Sequence, residues 1–411
     1  MHELVGALRS YAWGSRTALA ELCGRPVPSA HPEAELWFGA HPGDPARVQI
    51  NGHSESLLDL VSADPQRELG SVAGEFGGRL PFLLKILAAE EPLSLQAHPS
   101  LTQARAGFAR ENQAGLGMDS PMRNYRDENH KPELVVALDR FEALAGFRDP
   151  RRTVKLLQAI DVTELNPYAE LLDAQPDSAG LRTLFTTWIA LPQNALGTLL
   201  PKVLDGCVRY LSERDAGFDG VPKEFTTEVR TLLELAEAYP GDAGVLAALL
   251  LNRITLEPGE GLFLAAGNLH AYLRGVGVEI MANSDNVLRG GLTPKHVDVP
   301  ELLRVLDFEP LDLPKVHSEV VGNGVYRYHT PAAEFTLTRY ELSPGDDPAT
   351  VLHGGPGIAL CTHGTVRLLQ GKSELPVECG HAAWISATDS EIRAQALDGS
   401  AQLFCATVGA N

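Results

Sequence analysis

Short apolar runs separated by turn residues dominate residues 1–148. The segment LPFLLKILAA at 80–89 has the length and apolar content of a buried β-strand. Between residues 149 and 240 the pattern changes, because apolar residues recur every three or four positions, as in TVKLLQAIDV at 153–162. That spacing predicts amphipathic helices. From residue 241 onward, short strands broken by Gly and Pro return, so the chain as a whole predicts a mixed, mainly β fold.

The segment LEPGEGLFL at 256–264, with a histidine soon after it, is typical of a hairpin in a cupin-type barrel. Similar strand patterns recur near the end of the chain. We therefore predict cupin-type (jelly-roll) β-barrels with an inserted all-helical domain. The predicted domains are the first part of a catalytic cupin-type domain (1–148), an inserted helical domain (149–240), the second part of the catalytic domain (241–314), and a C-terminal cupin-like β-barrel without a metal (315–411).

Polar residues at alternate positions indicate a candidate metal site. Gln96 and His98 would share one face of a strand, and Glu133 and His270 lie in two other predicted strands. Two neutral imidazoles, one carboxylate and one amide oxygen would leave Zn²⁺ electrophilic, with a position open for substrate. On spacing alone, hydrogen-bonded or surface histidines and a Glu133 paired with Lys131 are the more common arrangement.

Five segments carry a resemblance to a known family. They are YAWGS (11–15), AELWFGAHP (34–42), LPFLLKILAAEEPLSLQAHPS (80–100), ENHKPELVVAL (128–138) and GNLHAYLRGVGVEIMANSDNVLRGGLTPKH (267–296). In this order they resemble class I mannose-6-phosphate isomerases, which interconvert mannose 6-phosphate and fructose 6-phosphate. The resemblance implies one zinc ion per chain, held by Gln96, His98, Glu133 and His270. These are the four residues that the strand-face argument assembled.

Isomerisation of an aldose to a ketose moves a proton between C1 and C2 through an enediol, so the site needs a base and groups that stabilise negative charge. By resemblance Arg289 is the family's active-site arginine. Lys131 is placed beside a zinc ligand, where the metal would favour proton transfer. Glu279 is the leading carboxylate candidate for the general base, ranked only modestly ahead of Lys131 and His98.

The remaining candidates are substrate contacts within the matched segments. We expect a hydroxyl and two ammonium groups to bind the phosphate, namely Ser94, Lys85 and Lys295. We expect four further residues to line the sugar pocket, namely Tyr272, Asp285, Asn286 and Trp13. Other roles compete with these, because Trp13 could be core, Lys85 a surface lysine, and Asp285 with Asn286 a turn cap.

A formal net charge of -19 argues against a nucleic-acid or anionic-membrane partner. It also requires that any phosphate site be a local basic pocket.

The five cysteines are widely spaced, and no C-x-x-C occurs, which argues against a disulfide framework. The N-terminal residues lack the pattern of a signal peptide, and the most apolar stretch, 245–251, is too short for a membrane span. We expect a cytoplasmic monomer with a small phosphosugar as its partner.

Two other functions fit parts of the pattern. Two histidines and a carboxylate on a cupin barrel are also the ligands of non-haem iron oxygenases, although the extra glutamine is unnecessary there. A sugar-phosphate sensor would bind the ligand without turnover. His353, His363 and His381 lack a companion ligand pattern, and we interpret them as structural or surface residues.

Overall fold

A computed structural model describes residues 1–215, 224–312 and 315–409. Strands account for 32% of the chain and helices for 29%, which confirms the mixed, mainly β prediction. The predicted boundary between residues 314 and 315 falls on residues 313–314, outside the described residues.

The part of the chain before residue 150 alternates strands with short helices. Its strands are β1 (His2–Val5), β2 (Ala7–Arg9), β3 (Glu35–Gly39), β4 (Arg47–Ile50), β5 (His53–Ser56), β6 (Phe82–Ala89), β7 (Leu95–Ala97), β8 (Glu133–Ala137) and β9 (Phe141–Phe147). Its helices are α1 (Ala18–Leu22), α2 (Leu57–Ala63), α3 (Pro65–Leu69), α4 (Val72–Glu75) and α5 (Leu101–Gln113).

Consecutive helices follow, as the apolar spacing predicts. They are α6 (Pro150–Ile160), α7 (Asn166–Ala174), α8 (Ser178–Ile189), α9 (Gln193–Asp215), α10 (Thr226–Ala238) and α11 (Gly244–Ala248), with a 3-10 turn at Thr163–Leu165. The first begins where the side chain of Asp149 accepts hydrogen bonds from the backbone N–H groups of Arg151 and Arg152, with Pro150 at the first helical position. Their apolar faces form one core that extends to Phe147.

Strands return after residue 250. They are β10 (Leu251–Leu256), β11 (Gly261–Leu264), β12 (His270–Ala282), β13 (Leu288–Gly291), β14 (Lys315–Val316), β15 (Glu319–Gly322), β16 (Val325–Tyr328), β17 (Thr336–Leu342), β18 (Ala349–Leu352), β19 (Gly357–His363), β20 (Thr365–Gln370), β21 (Ser373–Glu378), β22 (Ala382–Ile385), β23 (Ile392–Ala396) and β24 (Ala401–Thr407). One helix, α12 (Val299–Val305), lies among them.

The described strands form three sheets. An 11-stranded sheet, the site sheet, runs β14-β11-β8-β12-β6-β3-β2. Its other four strands branch from β12, which also pairs with β7 and β9; β13 then pairs with β7, and β10 pairs with β9. A nine-stranded sheet runs β15-β16-β17-β24-β19-β22-β1-β4-β5, and a four-stranded sheet runs β18-β23-β20-β21. We call the second and third the C-terminal sheets.

Side-chain alternation along β6 separates two environments. Leu84 and Ile86 enter a core that the site sheet shares with the nine-stranded sheet, where they join Leu360 and Trp384. Lys85, between them in sequence, points to the opposite face of the site sheet. The site sheet is therefore covered by protein on one face and carries its polar side chains on the other.

The N-terminal strand β1 pairs with β22 and β4, so it belongs to the nine-stranded sheet and not to the site sheet. The sequence pattern gave no indication of this pairing, because strand partners distant in the chain leave no periodic signal. Among the described residues, none of the helices combines the length and the apolar character that a membrane span requires.

Candidate metal centre and active site

Three strands of the site sheet bring the predicted ligands together. His98 follows β7 directly, Glu133 begins β8, and His270 begins β12. The Nε2 atoms of His98 and His270 lie 3.4 and 3.5 Å from the same carboxylate oxygen, Oε2 of Glu133. All three residues are buried, with exposed fractions of 2% or less. In the described part of the chain, this is the one group of His, Cys, Asp or Glu residues with metal-binding spacing.

The hydrogen bonds of the two histidines show that the group fits a metal ion. Nδ1 of His98 lies 2.8 Å from the carbonyl oxygen of Asn286, and Nδ1 of His270 lies 3.0 Å from that of Asn268. Because a carbonyl only accepts, each Nδ1 carries the proton and each Nε2 offers a lone pair. Both Nε2 atoms and Oε2 of Glu133 are buried without a hydrogen-bond partner. Three unpartnered acceptors facing one point are what a cation requires.

Gln96 and Arg289 extend this group across the sheet. Gln96 is the central residue of β7, and its Cα lies opposite that of His270 on one side and that of Arg289 on the other. The register thus places the predicted amide ligand and the predicted catalytic arginine next to the centre, in neighbouring strands.

Lys131 uses the other oxygen of the central carboxylate. Its Nζ lies 3.1 Å from Oε1 of Glu133, which leaves Oε2 for the histidines. Burial alone would raise the pKa of Glu133, but Lys131 and the two histidines together lower it well below its usual value. Burial lowers the pKa of His98 to about 4, against the opposing effect of Glu133. The centre is therefore held as a carboxylate and a neutral His98 at neutral pH.

A second buried polar group lies on the same face of the site sheet. Glu279 accepts hydrogen bonds from Nζ of Lys85 at 2.9 Å and from the hydroxyl of Tyr272 at 2.9 Å. Burial raises the pKa of Glu279 although Lys85 opposes the shift, and it raises the pKa of Tyr272 too. Burial would lower the pKa of Lys85, but Glu279 and Glu35 raise it overall. Lys85 is 5% exposed, so it is not a surface lysine.

Three further residues in this group were not singled out from the sequence. Glu35 accepts a 2.7 Å hydrogen bond from the indole of Trp37 and lies 3.7 Å from Lys85. His41 packs edge-on against Trp37 and lies 3.5 Å from Asp285. Glu35, Trp37 and His41 all belong to AELWFGAHP, so the family-like segment itself was the signal that could have identified them.

The predicted cations Arg289 and Lys295 lie in a basic environment. Neither has a carboxylate partner at ion-pair distance within the described ranges. Burial lowers the pKa of Arg289, and the neighbouring charge of Arg126 lowers it further. Burial, Arg289 and Arg126 act in the same direction on Lys295. Arg126 thus adds a third positive charge near Arg289 and Lys295, and it was not singled out from the sequence.

The other predicted contacts have varied surroundings. Asp285 is exposed on its loop, whereas Asn286 is fully buried and hydrogen-bonded to residues 126–129. Trp13 stacks on Tyr11 and packs against the apolar residues beside Tyr272. Ser94 is half-buried just before β7. In the C-terminal region, His353 and His363 are exposed, and His381 is partly buried.

Comparison with known proteins identifies the family. A protein-family model, that of the type I phosphomannose isomerase catalytic domain, matches residues 1–150. Mannose-6-phosphate isomerase of Escherichia coli (strain K12) is 39% identical over 394 residues, covering 95% of this chain and 96% of that protein. The human enzyme of the same name is 33% identical and covers 93% of each chain.

The chain belongs to the class I mannose-6-phosphate isomerase family. A Salmonella typhimurium mannose 6-phosphate isomerase structure with fructose 6-phosphate and zinc is similar over 100% of both chains, with a TM-score of 0.87 and 36% identity. A zinc-bound structure of a mannose 6-phosphate isomerase gives the same TM-score and identity. The predicted family, enzyme class and zinc cofactor are therefore confirmed.

Proposed function

We propose that this isomerase interconverts mannose 6-phosphate and fructose 6-phosphate by proton transfer between C1 and C2 through an enediol. The observation that carries the proposal is the set of three buried, unpartnered acceptor atoms of His98, Glu133 and His270. Arg289, opposite Gln96 in the neighbouring strand, adds a cation that has no carboxylate partner in the described ranges. The similar Salmonella typhimurium structure, with fructose 6-phosphate and zinc, supports this choice of substrate.

We propose that Gln96, His98, Glu133 and His270 hold one zinc ion. Zinc bound there supplies a positive charge that polarises the carbonyl and hydroxyl oxygens of the open-chain sugar. The burial of His98, Glu133 and His270 excludes water from the site. The main-chain carbonyl oxygens of Asn286 and Asn268 accept hydrogen bonds from Nδ1 and fix the two imidazoles.

For the proton transfer we propose Glu279 as the general base. Its raised pKa makes its carboxylate a stronger base than an exposed glutamate, and Lys85 with Tyr272 fixes its two oxygens. His98 is a weaker candidate because its free lone pair faces Glu133. Lys131 is also a weaker candidate, because its Nζ already contacts Oε1 of Glu133.

For the phosphate we propose Lys295 and Arg289, with Ser94 as a hydroxyl donor and Arg126 beside them. Their uncompensated charges suit a dianion, and guanidinium also binds phosphate oxygens in pairs. Lys85 is committed to Glu279 and Glu35, so we assign it to holding the base. Arg289 would in addition stabilise the enediolate.

The sugar contacts remain as predicted for three residues. We propose that Tyr272, Asp285 and Trp13 line the pocket that receives the open-chain sugar. The hydrogen bonds of Asn286 to the loop at 126–129 leave little capacity for a sugar hydroxyl, so Asn286 would contribute through the shape of the pocket.

We further propose that the site sheet and the C-terminal sheets are cupin-type barrels, with residues 149–240 as an inserted helical domain. The consecutive helices α6 to α10 and the antiparallel pairing throughout the sheets support this division.

We also propose a monomer in the cytoplasm. The five cysteines are free thiols, as is usual in a reducing compartment.

A coupled assay of zinc-loaded protein with mannose 6-phosphate, run beside a chelated sample, tests the proposal. Fructose 6-phosphate should form with the zinc-loaded protein, its formation should stop when the chelator is added, and added zinc should restore it. Ligand binding without turnover in a folded, zinc-loaded sample would favour a sugar-phosphate sensor. Oxygen-dependent turnover with added iron would favour the oxygenase.

A further inference from the structure

A dense set of hydrogen bonds ties residues 126–129 to residues 284–286. The side chain of Asn286 is fully buried, and its Oδ1 accepts from the backbone N–H groups of Arg126 at 2.7 Å and Asp127 at 3.2 Å. Its Nδ2 donates to the carbonyl oxygens of Asp127 and Asn129, each at 2.9 Å. Every polar atom of this amide is therefore used to join the two loops.

The carboxylate of Asp127 completes the connection from the other side. Its Oδ1 accepts from the hydroxyl of Ser284 and from the backbone N–H of Asn129, both at 2.9 Å. Its Oδ2 accepts from the backbone N–H of Asp285 at 2.8 Å. We call Asp127, Ser284 and Asn286 the loop clasp.

The loop clasp acts on a metal ligand through one carbonyl group. The main-chain oxygen of Asn286 accepts the 2.8 Å hydrogen bond from Nδ1 of His98. The position of that oxygen therefore sets both the tautomer and the orientation of the imidazole. We propose that the loop clasp is the positioning unit of His98, which aims Nε2 at the point shared with Glu133 and His270.

The two histidines differ in how much support they need. His270 is the first residue of the 13-residue strand β12 and is paired with β7 and β9 at its own position. His98 lies beyond the end of β7, which is three residues long, and Pro99 follows it. Without a strand ladder at its own position, His98 depends on the Asn286 carbonyl for its orientation. This asymmetry explains why so many hydrogen bonds converge on the loop beside one ligand.

The test is the zinc dissociation constant of the full-length protein, measured by competition with a chromophoric chelator. Asn286→Ala should raise the constant at least about tenfold, the usual size of the effect for a residue that orients a metal ligand. Asp127→Asn keeps one oxygen acceptor and should have a smaller effect. Ser284→Ala removes a single hydroxyl and should raise the constant a few-fold at most.

A matched control separates positioning from loop stability. Gln402 of β24 also joins two strands through its amide, since Oε1 accepts from the hydroxyl of Thr362 at 2.7 Å and Nε2 donates to Glu341 at 2.8 Å. Gln402→Ala should lower the melting temperature of the zinc-free protein and leave the zinc dissociation constant within about twofold. If Asn286→Ala behaves in the same way, the proposal is overturned. If Asn286→Ala does not fold, Asp127→Asn is measured in its place, and a zinc dissociation constant within about twofold of that of the parent protein would overturn the proposal.

The inference rests on the proposed ligand set, and His98→Ala distinguishes the two. Full zinc affinity in His98→Ala would refute His98 as a ligand. Loss of zinc in His98→Ala, together with normal affinity in Asn286→Ala, would overturn only the loop clasp.

Discussion

The inner face of the site sheet and the space between the C-terminal sheets use the same strand alternation for opposite purposes. Inward positions of the site sheet carry Lys85, Glu279 and Glu133, all buried. Between the nine-stranded and four-stranded sheets, inward positions are apolar, as at Leu403 and Ile392. Burying ionised groups costs free energy unless each finds a partner. Burial of polar residues alone therefore does not mark a metal site. The metal centre is marked by the buried acceptor atoms of His98, Glu133 and His270 that have no hydrogen-bond partner.

Removing a metal ligand should have the largest effect. His270→Ala should lower zinc affinity by more than about 100-fold, beyond the range for residues that merely orient a ligand, and should abolish turnover. His363→Ala in β19 is the matched control and should change neither. Zinc content by mass spectrometry and the coupled assay give both readouts. Full metal content in His270→Ala would refute its assignment.

Arg289→Ala should keep zinc and lower kcat about 100- to 1,000-fold, as expected for loss of a group that stabilises developing negative charge. Arg393, an exposed arginine near Glu391 in the C-terminal sheets, is the control, and Arg393→Ala should leave kcat unchanged. Steady-state kinetics with metal analysis checks this. Near-normal turnover would remove Arg289 from the chemistry.

A cavity in the C-terminal core should separate stability from function. Leu403→Ala should lower the free energy of unfolding by about 2–5 kcal/mol, because it removes a fully buried side chain. Denaturant unfolding measures the loss. Zinc affinity and KM measured below the transition should match the parent protein. A large change in either would show that the two regions are coupled.

Lys295→Ala should raise KM for mannose 6-phosphate about 10- to 100-fold, since one charged hydrogen bond to phosphate contributes roughly 1.5–3 kcal/mol. Lys315→Ala removes a lysine that pairs with Glu260 and should leave KM unchanged. An unaltered KM in Lys295→Ala would exclude it from the phosphate site.

The smallest effect concerns the contact between Glu334 and His130, which joins the segment before β17 to the loop before Glu133. Burial would raise the pKa of Glu334, but His130 lowers it overall. A lowered carboxyl pKa adds stability above the unfolded value of about 4.3, and this stability is lost as pH falls through the folded pKa. Glu334→Gln should remove that acid-side slope, an effect of about 1 kcal/mol or less. Unfolding free energies measured between neutral and acid pH test it.

The site was predictable where metal-ligating side chains occupy alternate positions of one short strand. Gln96 and His98 share a strand face in the sequence itself, and Glu133 and His270 begin strands of recognisable pattern. Their convergence needed the family resemblance, because ligands in three distant strands leave no local signal. The helical block was equally readable, since the three- and four-residue spacing of α6 is a local property.

What the sequence could not provide depends on tertiary contacts. Lys85 meets Glu279 across 194 positions of the chain, and nothing near either residue in the sequence predicts that the two are partners. The loop clasp joins Asp127 to Asn286 across 159 positions, so Asn286 was interpreted as a sugar contact or a turn cap. The polar partners of a buried group are settled by pairing between elements, and composition cannot show them.

The place of β1 between β22 and β4 has a consequence for how the protein folds. Leu4 is a fully buried member of the core shared by the site sheet and the nine-stranded sheet, and its partner in β22 is Ala382. Because β1 and β22 are far apart in the sequence, a long loop must close before they can pair, and the chain entropy lost on closing it opposes the pairing. The layer that backs the site sheet therefore depends on a contact that forms slowly, and its apolar residues stay exposed until that contact has formed.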